Sequence, residues 1–210
     1  MGSIQTSTIE TAKAIPPPET VAPEFPSLCP PEVEATFSDW EKSTITSPDA
    51  RRNYQNYRFS YPCGSVGGGP FNDAVQLNGA MVPVRWPKRV EVNMVHWGHM
   101  PIVGWYKMNY EQMALSHGND RGTAIETLAL NLADGEYINK VRMCKGDLVW
   151  GVEGIVFMEV TTSMGRVEKC GSESDDVVEA VGPSGFPGLK GFFGCSGDVV
   201  DRMGAIWGKH

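Results

Sequence analysis

The chain has 210 residues, 41% of them hydrophobic and 20% charged, a length that suits one domain with a real core, or one domain and a tail. Lys+Arg 18 against Asp+Glu 25 leave a formal charge of -7 with no basic run, which excludes a nucleic-acid binder that works through phosphate contacts. No stretch approaches the ~18 consecutive apolar residues that a transmembrane helix needs.

Met1 to Lys13 lacks the basic start and apolar run of a secretory signal, and no Asn-x-Ser/Thr sequon occurs. Cys29, Cys63, Cys144, Cys170 and Cys195 make an odd count without CxxC spacing. They read as reduced thiols, and the expected location is cytoplasmic. Gly2 to Thr6 fits the N-myristoylation pattern, making Gly2 a lipidation candidate. The polybasic helper that stable anchoring needs is missing, since Lys13 is the only basic residue before Lys42.

Residues 1–60 form a Pro-rich tail. Ile15 to Pro18, Ala22-Pro23, Phe25-Pro26 and Cys29-Pro30-Pro31 break regular elements, so this stretch is expected to be extended or polyproline-like. Within it, Glu32 to Lys42 has the makings of a short helix, with Phe37 and Trp40 three apart on one face. Beyond Tyr61 the text changes to short apolar runs between Gly-rich turns. Val90 to Val95 and Thr127 to Leu132 alternate with period two, and Ile155 to Val160 is a buried-type run. Residues 61–210 are therefore expected to be all-β, with many short strands.

A repeat runs through them. Cys63-Gly64-Ser65, His117-Gly118-Asn119 and Cys170-Gly171-Ser172 stand 54 and 53 residues apart. A second marker recurs as Gly98 to Ile102, Gly146 to Trp150 and Gly197 to Asp201. Three units of about fifty residues imply three similar β-units around a pseudo-threefold axis.

Gly135-Glu136-Tyr137-Ile138, Gly146 to Trp150 and Thr161 to Arg166 resemble the middle of the jacalin-related lectins. Gly191 to Trp207 is similar to their closing hairpin, and Gly67 to Asp73 to their Gly-rich opening. The resemblance covers residues 61–208. It implies a β-prism of three four-stranded Greek-key sheets and a sugar site in the loops at one end, without catalysis, cofactor or metal.

The family's Gly-x-x-x-Asp signature is matched by Gly197 and Asp201. An ionised carboxylate can accept from two adjacent sugar hydroxyls. The N–H groups of Asp198 and Val199 would add donors, and Gly67, Gly68 and Gly69 would let the backbone close the other side. The resemblance also places Met143, Cys144 and Lys145 at the rim, where Cys144 and Lys145 offer no stacking face; Trp97, Trp105 or Trp150 would have to supply one. The first repeat has Ile102 and the second Trp150 at the place of Asp201, so one site per chain is expected. Galactose binding in the family goes with a cleaved chain that frees a glycine amine. Here the Gly-rich loop is internal, which favours mannose or glucose.

Other constellations carry less. His96 and His99 lie three apart on a strand and point to opposite faces, so they are no metal pair. Val66 to Pro70 lacks the Gly-Lys-Ser/Thr ending of a phosphate loop. Asp175 and Asp176 sit in a solvated turn, and no Gly-x-Ser-x-Gly occurs. Two readings remain open. One is a non-enzymatic lectin for mannose- or glucose-containing glycans, made useful by oligomerisation. The other is a structural or interaction subunit whose residues 1–60 contact a protein partner.

Overall fold

The computed structural model describes residues 26–80, 84–119, 122–149 and 152–209. Gly2, the prolines before Pro26, and Trp150 therefore lie outside the described residues. Twelve strands form three four-stranded antiparallel sheets. The first holds β1 (Tyr57–Gly64), β12 (Val200–Gly208), β11 (Gly188–Ser196) and β2 (Gly69–Asn72), in that order. The second runs β5 (Ala114–Gly118), β4 (Met100–Asn109), β3 (Arg89–Trp97), β6 (Glu126–Asn131). The third runs β9 (Val167–Gly171), β8 (Val152–Thr162), β7 (Ile138–Val149), β10 (Val177–Val181). Each sheet is a central hairpin flanked by two outer strands, which is the expected β-prism. The expected alternation is present: Val90, Val92 and Met94 are buried on β3, and Leu128 and Leu130 on β6.

The first repeat marker is a structural device. Gly64, Gly118 and Gly171 end β1, β5 and β9 with φ of 92, 88 and 86°. At each, a Cβ would collide with a carbonyl oxygen of the neighbouring strand, that of Asp201, Gly104 or Val156. The next N–H then bonds to that same oxygen: Ser65 to Asp201 at 3.1 Å, Asn119 to Gly104 at 3.1 Å, Ser172 to Val156 at 3.0 Å. Only glycine tolerates both the left-handed backbone and the close approach, so the three positions are threefold equivalents.

The prism interior is one apolar cluster. It takes Phe192, Met203, Ala205 and Trp207 from the first sheet, Val92, Tyr106 and Met108 from the second, and Val141, Ile155 and Met158 from the third. Successive strand residues face opposite ways. Hence Phe193 and Ile206 point outward, into a second cluster with Leu28, Val33, Phe37, Ile45 and Phe59.

That second cluster corrects the expectation of an extended chain up to residue 60. Residues 31–53 form α1 (Pro31–Glu34), α2 (Asp39–Glu41), a π-helical turn (Lys42–Thr46) and α3 (Pro48–Asn53). Pro31 and Pro48 occupy first helical positions, where the missing N–H costs nothing, so here prolines start helices. The single helix expected over Glu32 to Lys42 is interrupted at residues 35–38. Ser38 begins a new one through a capping box with Glu41. Phe37 falls between the two and is buried edge-on against Phe193, while Trp40 is only half-buried. A fourth short helix, α4 (Asp73–Asn78), follows β2.

Candidate functional site

The candidate loop is the tip of the β11–β12 hairpin. Ser196 pairs with Val200, leaving Gly197, Asp198 and Val199 as the turn. The Gly197 N–H closes it by donating to the Val199 carbonyl at 2.9 Å. Gly197 and Asp198 are exposed, Asp201 is half-buried, and the Val199 side chain is buried against Val95 and Ile102 of the second sheet. The hairpin is thus anchored from below while its rim stays open.

The Gly-rich segment lies beside it. Gly69 pairs with Ser196. A Cβ on Gly67 would stand 3.0 Å from the Asp201 carboxylate. Gly68 has φ 59°, and a Cβ there would run into the Ser196 carbonyl. The structure therefore brings Gly67, Gly68, Gly69, Gly197, Asp198 and Asp201 together. The glycine requirement falls on Gly68 rather than on Gly197, which is not among the positive-φ glycines and would have its Cβ 3.5 Å from the Gly68 Cα.

Partial burial raises the pKa of Asp201, and the nearby charge of Asp198 adds to the rise; the Asp201 backbone N–H pulls the other way. The carboxylate is a concentrated acceptor with part of its hydration already removed, which suits hydrogen bonding to hydroxyls.

Two expected rim residues are placed differently. Cys144 is fully buried in a small cluster with Val156 and Phe157, and Met143 is buried in the prism core. Met143 and Cys144 face opposite sides of β7, as alternation requires, and both sides are covered there: Cys144 lies with Val156 and its register partner Phe157. Lys145 is half-buried, and ion pairs to Glu153 at 2.9 Å and Asp176 at 3.0 Å hold its ammonium. These contacts raise its pKa. Cys144 therefore cannot touch a ligand, and Lys145 already has its partners. Sequence reasoning missed Ser65, whose hydroxyl donates to the Glu153 carbonyl at 2.6 Å and ties the Gly-rich segment to the β7–β8 hairpin. Its signal was the repeat marker it belongs to.

The equivalence of the three loops also changes. The β3–β4 turn has two residues, Gly98 and His99, between Trp97 and Met100, whereas the β11–β12 turn has three. Gly146 lies within β7, paired with Gly154, and is no turn residue. Aligned through the carbonyls that receive the marker bonds, the counterparts of Asp201 are Gly104 and Val156, neither of them acidic. Trp97, 41% exposed, borders with Asp198 and Asn119 a cavity of about 500 Å³ on the far side of the hairpin. His96 and His99 are both exposed, and among the described residues no group of three or more His, Cys, Asp or Glu could hold a metal ion. No helix among them is long and apolar enough to cross a membrane.

The family model for the jacalin-like lectin domain matches residues 60–206. The chain belongs to the jacalin-like lectin family. Its members are non-enzymatic carbohydrate-binding proteins. Among solved structures, Malaysian banana lectin is similar at 19% identity and a TM-score of 0.55, over 71% of this chain and 96% of that one. A mannose-binding lectin from champedak matches at 16% identity and a TM-score of 0.54, over 71% and 94%. A mannose-binding jacalin-related lectin from Ananas comosus matches at 12% and 0.53, over 74% and 99%. At these identities the likeness is one of fold. Compared with curated protein sequences, the chain finds no match.

Proposed function

We propose that this jacalin-like domain binds mannose- or glucose-type glycans at one site per chain. The observation that carries this reading is the half-buried Asp201 carboxylate facing Gly67 across a gap that a single Cβ would fill. A pyranose ring presents adjacent hydroxyls to that carboxylate. The amides of Asp198 and Val199 serve as donors, and the bare backbone of Gly67 to Gly69 lets the ring approach closely. The mannose-binding champedak and Ananas comosus lectins share the fold, which supports the choice of sugar. The uncut Gly-rich segment supports it too. A single site is in keeping with Gly104 and Val156 standing where the other repeats would need an acid. Five buried, unpaired cysteines suit a reducing compartment such as the cytoplasm. A shallow site of this kind has an affinity on the order of millimolar, so oligomerisation would supply the avidity.

The reading is tested by thermal unfolding with methyl α-mannoside, methyl α-glucoside and methyl α-galactoside at rising concentration. A ligand that binds only the folded state raises the Tm with concentration. The expected result is a rise with the mannoside or glucoside and none with the galactoside. A rise with galactoside alone, or with none of the three, contradicts it.

A further inference from the structure

We propose that Glu41, from the helical segment that precedes the prism, is a positioning residue for the Gly64–Gly69 loop and the Asp201 strand. The inference rests on the carbohydrate reading only in assigning a ligand to those loops.

The argument begins with a buried ion pair. Arg202 follows Asp201 in β12 and points to the opposite face, toward α2. Its side chain is 11% exposed and that of Glu41 is fully buried. The pairing is two-pronged: Arg202 Nε donates to Glu41 Oε1 at 3.0 Å and Nη2 to Oε2 at 3.1 Å. Such a fork fixes orientation as well as distance. Glu41 is held in turn, because its Oε2 accepts the Ser38 N–H at 2.7 Å in the capping box. Two further Arg202 donors are also committed. Nη2 donates to the Thr36 carbonyl at 2.8 Å, and Nη1 to the Gly64 carbonyl at 3.2 Å.

The last bond makes the arrangement more than structural. Gly64 is the hinge of the Gly-rich segment, and the next N–H, that of Ser65, donates to the Asp201 carbonyl at 3.1 Å. A continuous line of polar contacts therefore runs from Ser38 through Glu41 and Arg202 to Gly64, then by one residue to the backbone of Asp201. A site within hydrogen-bond tolerance of a ligand needs such support behind it. Neutralising Glu41 leaves a buried guanidinium short of its counter-charge. The guanidinium then turns toward water, and Gly64 and its loop lose their tether. Glu41 lies outside the family match, which begins at residue 60. Residues 26–56 of this chain are thus a working part of the binding end and not a spacer.

The test compares wild-type protein with Glu41→Gln, the milder Glu41→Asp, and Phe37→Ala. Phe37 packs its ring in the same helical segment, edge-on to Phe193, and supplies none of the side-chain hydrogen bonds that hold Arg202. Two quantities are read at a temperature where all four proteins are folded: affinity for methyl α-mannoside by calorimetry, and hydrogen exchange at the Ser65 and Gly67–Gly69 amides. The expected result is faster exchange at Ser65 in Glu41→Gln and an affinity loss of roughly tenfold. Glu41→Asp should fall between it and wild type. Phe37→Ala should lower the Tm yet keep wild-type affinity and loop exchange. Unchanged loop exchange in Glu41→Gln, or the same loop changes in Phe37→Ala, overturns the proposal. If wild type binds no mannoside, the carbohydrate reading falls, and the exchange result alone decides whether Glu41 positions the loop.

Discussion

Asp73 Oδ1 lies 2.8 Å from His117 Nε2, a contact that joins the first turn of α4 to the end of β5 in another sheet. The same carboxylate accepts the Tyr106 hydroxyl at 3.0 Å and the Phe192 N–H at 2.9 Å through Oδ2. Asp73 is fully buried, and His117 stacks on Phe71 at 4.0 Å. One carboxylate thus links the first two sheets at the prism core, and burying it is tolerable because each of its oxygens is satisfied.

Removing that carboxylate should be severe. Asp73→Ala strands the Tyr106 hydroxyl and the Phe192 N–H in the core, and the expected loss is roughly 3–5 kcal/mol, the range for stripping a buried charged group from its partners. Urea unfolding measures it. A loss below about 1 kcal/mol, the net worth of one ordinary hydrogen bond, would contradict the assignment of Asp73 as a linker.

Neighbouring glycines in the candidate loop should differ sharply. Gly68→Ala forces a side chain into the left-handed region, at a cost of about 1–2 kcal/mol, and against the Ser196 carbonyl. It should lower the Tm and abolish mannoside binding. At Gly69 a Cβ would lie 3.8 Å from the nearest atom, the Ser196 oxygen. Gly69→Ala should therefore leave the Tm near wild type. Equal effects of the two changes would show that close approach is not what the loop requires.

Binding should fail in acid earlier than an ordinary aspartate would dictate. Ionised Asp201 accepts on both oxygens with the strength that charge adds, which protonation removes, and burial, with Asp198 adding to it, raises its pKa. Affinity should drop as pH falls through a midpoint above about 3.9, the ordinary value. For the folding of the unliganded protein the sign is reversed. A carboxyl whose folded pKa is raised favours the folded state when protonated, and that advantage is lost as pH rises through the folded pKa. Asp198→Asn removes the neighbouring charge and should move the binding midpoint to lower pH. A shift to higher pH would contradict the electrostatic account. Calorimetric titrations between pH 3.5 and 7 decide it.

Lys190 supplies a second pH signature. Its side chain packs on Gly208 and its ammonium donates to the Val84 carbonyl at 2.7 Å, with burial holding its pKa down at about 8. The unfolded chain keeps that proton up to about 10.4. Between these values the unfolded state binds more protons, so this group makes stability rise with pH. Lys190→Met lacks the contribution. Any stability advantage of the variant near pH 7 should shrink as pH rises from 8 to 10, measured as the Tm difference between the two proteins. Taking the difference cancels Cys29, Cys63, Cys170 and Cys195, whose raised values act in the opposite sense. A pH-independent difference would contradict it.

Much of the prism was legible because backbone constraints write themselves into sequence. Gly64, Gly118 and Gly171 recur at a fixed spacing because each repeat needs a left-handed residue with no side chain at the same place. Gly197 and Asp201 were legible as a hairpin that resembles a known site. What was not legible depended on contacts distant in sequence. Pro31 read as a breaker, and nothing local says that a helix starting there will be stabilised by Phe193 and Ile206, more than 160 residues away. The burial of Cys144 comes from Val156 and Phe157, which cover the face of β7 turned away from the core, and alternation rules do not foresee such cover. The alignment of Ile102 with Asp201 failed because β3 and β4 keep pairing for four residue pairs beyond the bulge at Gly104, from Met94–Val103 to Trp97–Met100, whereas β11 and β12 keep only Ser196–Val200 beyond Asp201. Asp73 was quoted only as part of a Gly-rich opening, and its partners come from β4, β5 and β11.

The most direct test of the account is calorimetric titration of methyl α-mannoside into wild-type protein and Asp201→Asn, which keeps the size of the side chain but removes its charge. Saturable heat with wild type and none with the variant, at a Tm no lower than wild type, is the predicted result. Equal heats from both, or none from wild type at concentrations well into the millimolar range, would contradict a carbohydrate site built on Asp201.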